Sequence, residues 1–92
     1  MGNRSKFGEF IRIERIKRGY TLRDVGAALS LSAMTISQVE SGENKNPETA
    51  FRIAAFYDLN ESYVKELYLD GKSDSDVKRI KEKHGELFRG EQ

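Results

Sequence analysis

Apolar residues recur along this chain at intervals of three and four rather than two, and a single proline interrupts them, so the pattern predicts helices throughout. Phe7, Ile11 and Arg15 stack on one face of a first helix over residues 5–18, which Gly19 stops. Thr21 opens a second helix. Its hydroxyl can take a free amide, and Asp24 three positions on makes a short capping box that suits the positive helix end. Val25, Ala28 and Leu29 are its expected buried side. Ser32 caps a third helix over residues 33–40, whose apolar stripe is only Ile36 and Val39, and Gly42 ends it. Beyond the polar loop Glu43-Asn44-Lys45-Asn46, the Asn46-Pro47 pair reads as an N-cap with proline at the first helical position. This fourth helix runs to about residue 58 and buries Ala50, Ile53, Ala54 and Tyr57. Asn60 caps a short fifth helix carrying Val64 and Leu67, and Gly71 closes the compact part.

From Ser73 onward, Val77, Ile80, His84 and Leu87 follow at spacings of three, four and three among many charges. They predict a further amphipathic helix, interrupted at Gly85. Ninety-two residues suit one core and not two. The expected organisation is therefore a domain over residues 5–70 and a tail helix over residues 73–92, with the tail a candidate dimerisation element.

Composition narrows the function classes. Apolar residues make up 37% and charged residues 34%, and no apolar run reaches membrane length. Residues 7–16 are broken by Glu9, Arg12, Glu14 and Arg15, so no signal-type stretch follows the amino terminus and a cytoplasmic protein is expected. The absence of cysteine excludes disulfides and thiolate zinc sites, and the lone His84 cannot build a multi-histidine site, so no metal or cofactor is expected. No activated nucleophile, ligand cluster or glycine-rich phosphate loop points to an enzyme. The net charge is only +1, but residues 1–23 hold seven Lys or Arg against two Glu. Of Arg4, Lys6, Lys17, Arg18 and Arg23, two or three are expected to touch phosphate, the others being solvated surface charges.

Two short helices, residues 22–29 and 33–40, each with its own cap and separated by a tight turn, have the arrangement of a helix-turn-helix. In such a unit the second helix enters the DNA major groove, where base edges are distinguishable. Ala33, Met34, Thr35, Ser37 and Gln38 are then the base-reading candidates, an uncharged set of mostly small groups that permits close approach. Gln38 stands out, because its amide can bind adenine in bidentate fashion for about 1–3 kcal/mol of discrimination. Met34 or Ala33 can pack on thymine methyls.

The segments Gly19-Tyr20-Thr21-Leu22-Arg23-Asp24-Val25 and Ser32-Ala33-Met34-Thr35-Ile36-Ser37-Gln38-Val39-Glu40-Ser41-Gly42 resemble the lambda-repressor/Cro-type (XRE) family, and the likeness runs over residues 7–69. The resemblance implies an all-α, five-helix DNA-binding domain, to which the amphipathic C-terminal helix is added. It implies a pair between Arg15, late in the first helix, and Glu40, at the end of the third. Phosphate contacts are implied at Ser41, Lys45 and Asn46 and at the start of the second helix. Three positions depart from the family pattern. Leu22 replaces a phosphate-binding glutamine, passing that contact to Thr21 or Arg23. Gly26 replaces alanine at a helix interior cost of about 1 kcal/mol. Ser30 stands where glycine often turns the chain, and is strained if the left-handed conformation is kept.

Phe51, Phe56, Tyr57, Tyr63 and Tyr68 lie in the fourth and fifth helices, where core or dimer packing explains them better than base stacking. Phe10 and Ile13 form a second apolar stripe on the first helix that one small domain does not need. The expected cover is the tail, through Val77, Ile80, Leu87 and Phe88, in the same chain or across a dimer. Together these readings describe a homodimeric regulator, a repressor binding double-stranded DNA at a palindromic operator through the third helix. The competing expectation is a protein-interaction or antitoxin-like module on the same fold, with a regulatory protein partner and incidental DNA contact.

Overall fold

A computed structural model describes residues 5–88 and is helical, with no strand among those residues. The order is α1 (Lys6–Lys17), α2 (Leu22–Leu29), α3 (Ala33–Ser41), α4 (Pro47–Phe56), α5 (Glu61–Leu69), α6 (Asp74–Lys83) and the single turn α7 (Gly85–Phe88). Six of these helices begin at a side-chain cap of about 1 kcal/mol each. Ser5, Ser32 and Ser73 accept from the amides of Gly8, Thr35 and Asp76, while Asn46 and Asn60 accept from those of Glu48 and Tyr63. At α2 both halves of the box form: the Asp24 amide donates to Thr21 Oγ1 at 3.0 Å and the Thr21 amide to Asp24 Oδ2 at 2.9 Å. The Asp24 carboxyl is held below its ordinary pKa by these Thr21 hydrogen bonds, the backbone one contributing most.

Helix ends are set by residues that reach positive φ. Gly42 ends α3 at φ 91°, one residue later than expected. Ser30 does keep the left-handed conformation, at φ 60° and ψ 41°, a cost of about 1–2 kcal/mol for a residue with a Cβ. α4 stops at Phe56, short of the expected 58, because Tyr57 caps it and Asp58 turns to φ 60°.

The core gathers Ile11, Val25, Ile36, Ile53 and Tyr57, all essentially solvent-free, between α1 and α4. Beside it runs a row of edge-to-face rings. Phe7 meets Tyr68 at 5.3 Å, Tyr68 meets Phe51 at 5.4 Å, and Phe51 meets Phe88 from the tail at 5.5 Å. Pairs of this geometry add about 0.5–1.5 kcal/mol beyond burial.

Two expectations need correction. Ala28 is exposed, and Gly26 takes its place beside Val25 on the buried side of α2. The described part of the tail does not cover the second stripe of α1 within the chain: Phe88 completes the ring row on Phe51, and Ile13 keeps 45% of its surface exposed. α6 itself buries no residue. Lys65 was not expected inside, yet it is 95% covered, with Nζ 3.3 Å from Glu61.

Candidate nucleic-acid interface

α3 is wedged between α1 and α2 by two backbone approaches that only glycine allows. A Cβ on Gly26 would stand 2.5 Å from the Leu31 carbonyl oxygen and 3.2 Å from the Ser32 carbonyl carbon, so the turn closes directly over α2. A Cβ on Gly8 of α1 would collide with the carbonyl of Glu40 at the far end of α3. The apparent departure at Gly26 is thus a packing requirement, and the propensity cost is outweighed by the close crossing it permits.

Arg15 and Glu40 are brought together in a bidentate pair, Nε to Oε2 at 2.7 Å and Nη2 to Oε1 at 3.2 Å. Arg15 Nη1 also donates to the Tyr20 carbonyl at 2.9 Å, tying the α1–α2 turn to the end of α3. The hydrogen bond to Glu40 raises the Arg15 pKa above its ordinary value. With both side chains largely buried, the pair fixes the angle between α1 and α3 more than it adds net stability.

On the outward side of α3, Met34 is 67% exposed and Ser37 is exposed, while Ala33, Thr35 and Gln38 are half-buried. The Thr35 hydroxyl is already bonded to Ser32 Oγ at 2.9 Å. The Gln38 side-chain amide has no internal hydrogen-bond partner among the described residues, which leaves its donor and acceptor available together. Its backbone carbonyl instead receives the amides of Gly42 and Asn44 and the Ser41 hydroxyl, and so carries the start of the loop after α3.

The expected phosphate ligands are in unequal states. Arg23 and Lys45 are exposed, and among the described residues neither has a carboxylate within ion-pair distance. Lys6 pairs with Asp70 at 3.1 Å, Lys17 with Glu14 at 3.3 Å and Arg18 with Glu14 at 2.7 Å. The Arg18 hydrogen bond is the largest cause of a lowered Glu14 pKa. Arg4 lies outside the described residues. Thr21 shares its amide and hydroxyl with Asp24, so the positive end of α2 already holds a carboxylate. The Ser41 hydroxyl donates to Gln38 and accepts from the Glu43 amide, and Asn46 Oδ1 caps α4, leaving the Asn46 amide nitrogen as that side chain's outward donor.

Two positioning contacts carry no local signal in the sequence. Arg52 of α4 donates to the Leu29 carbonyl at 2.6 Å, holding the end of α2 beside the strained Ser30. Tyr68 of α5 donates its hydroxyl to the Lys45 carbonyl at 2.7 Å, fixing the backbone of the loop that presents Lys45. Each spans 23 residues, beyond the reach of any periodicity or capping rule.

A model of the helix-turn-helix family matches residues 11–64, more than half of the chain. The chain belongs to this family, in its lambda-repressor/Cro-type form, whose business is DNA binding. No curated protein and no solved structure matches it significantly. Among the described residues no helix is long and apolar enough to cross a membrane.

Proposed function

We propose that this member of the helix-turn-helix family is a sequence-specific transcriptional regulator, a homodimeric repressor that reads a palindromic operator through α3. The carrying observation is the contrast across α3. Its inner side is locked by Arg15–Glu40 and by two glycine crossings, while its outer side presents Met34, Ser37 and an uncommitted Gln38 amide. Gln38 serves adenine, Met34 or Ala33 serves thymine methyls, and Thr35 and Ser37 offer hydroxyls to either strand. Arg23 before α3 and Lys45 after it, neither ion-paired among the described residues, supply cations for phosphate, with the Asn46 amide and Ser41 beside Lys45, and Thr21 in the lesser role its cap allows. These contacts position the helix without carrying sequence information. One such unit makes few of them, so two copies on half-sites about one helical turn apart are required for operator affinity.

Selection of binding sites from random duplex DNA by the purified full chain tests this reading. Enrichment of a two-fold symmetric sequence, bound more weakly as salt rises, is expected. Failure to enrich any sequence, with only weak salt-sensitive binding left, would remove the DNA-reading assignment in favour of a protein partner.

A further inference from the structure

We propose that α1 is the seam of the dimer, two copies packing this helix antiparallel about a two-fold axis at Ile13; the inference deepens the dimeric reading above and rests on it. Among the described residues six large apolar side chains are exposed, and three of them, Ile13, Ile16 and Tyr63, lie on or beside the outer face of α1. With 3.6 residues per turn, Glu9, Phe10, Ile13, Ile16 and Lys17 fall within an arc of about 120° on that helix. Phe10 leans edge-on against Tyr63 of α5 at 5.4 Å, and an open groove beside them is lined by Ile13 and Leu67. The tail packs elsewhere through Phe88 on Phe51, and among the described residues none covers Ile13, which stays 45% exposed.

Charge and register select the occupant. In an antiparallel pair centred on Ile13, Phe10 meets Ile16 of the second copy and Glu9 meets its Lys17, an isologous arrangement in which each contact occurs twice. A parallel pair would set Glu9 against Glu9 and Lys17 against Lys17. On the same helix Glu9 lies 3.8 Å from Arg12, both partly exposed, and the exposed Lys17 lies 3.3 Å from the largely buried Glu14, which Arg18 also holds at 2.7 Å; surface pairs of the first two kinds are weak enough to be shared across a seam. Gly8 and Arg15, which meet α3, lie on the far side of α1 from Ile13. Joining two copies through Ile13 therefore leaves both α3 helices outward and free.

The chain has no cysteine, so single substitutions report the seam cleanly. In the absence of DNA, full-length Ile13→Cys is expected to form a disulfide-linked dimer under mild oxidation. Phe10→Cys alone is expected not to link, but to link when mixed with Ile16→Cys. Ile13→Asp, at an exposed position, is expected to keep its helical circular dichroism and melting temperature while the dimer dissociation constant rises at least about thirty-fold in sedimentation. Glu9→Lys is expected to weaken the dimer and Glu9→Lys with Lys17→Glu to restore it. A wild-type monomer at micromolar concentration, a dimer that survives Ile13→Asp, or no Ile13→Cys link would overturn the proposal. Because oligomeric state is read without DNA, these results stand apart from success or failure of the operator selection.

Discussion

α3 and the tail are both short amphipathic helices with serine caps, yet they join the molecule by opposite means. α3 is held at its far end by a buried ion pair, at its two ends by crossings too close for a Cβ, and through its flanking loop by Tyr68. Among the described residues of the tail only Phe88 is buried, with Ile80 and Leu87 partly buried against the core and no buried residue in α6. A helix proposed to present Gln38 to a base edge needs its backbone over-determined. A helix that only caps a row of rings does not.

The sharpest way to break this contrast is at the ion pair. Glu40→Ala leaves the Arg15 guanidinium largely buried without its carboxylate, and a loss of about 3–5 kcal/mol in chemical denaturation is expected. Truncating Phe88 to Ala, for comparison, is expected to cost less than the usual 3–5 kcal/mol for a core aromatic, because the site can relax with the tail. Next comes Gly26→Ala. In an ordinary helix interior it stabilises by about 1 kcal/mol, but the Leu31 carbonyl is in the way, so destabilisation and loss of DNA binding are expected instead.

Smaller effects test the electrostatics. Lys45→Ala is expected to leave the melting temperature almost unchanged and to lower the slope of log affinity against log salt by about 0.9, the share of one phosphate contact. Tyr57 lies in the core with no hydrogen-bond partner for its hydroxyl among the described residues, and burial pushes its pKa from 10.0 up to about 12. A raised acid of this kind is neutral in the fold, so its contribution is complete below pH 10 and is lost as pH rises toward 12. Tyr57→Phe is expected to remove that alkaline loss and to be neutral or stabilising by about 1 kcal/mol at pH 7, read from urea melts across pH 7–12.

Much of the scaffold was legible because it is local. Thr21, Ser32, Asn46 and Asn60 each announce a helix start by their own chemistry, and all four caps form, as do caps at Ser5 and Ser73, where periodicity alone places the helix starts. The base-reading candidates followed from α3 having only Ile36 and Val39 to bury. What escaped depends on contacts distant in sequence. No periodicity reveals that the turn carbonyl of Leu31 closes on Gly26, that Ala28 is turned outward, or that Arg52 and Tyr68 reach back 23 residues to hold the motif. The α1 stripe was visible in the sequence; that the described part of the tail leaves it uncovered within the chain was not, because the packing of Phe88 on the Phe51 ring is a matter of tertiary geometry.

The central claim is that Gln38, on a helix locked from behind, reads a base. Its most direct test is to measure the affinity of the wild-type chain and of Gln38→Ala for the selected operator and for a set of single base-pair variants at fixed salt. If Gln38 reads adenine, Gln38→Ala will lose about 1–3 kcal/mol of discrimination at one position in each half-site and keep its preference elsewhere. An equal loss on every duplex, or no change at any position, would contradict it.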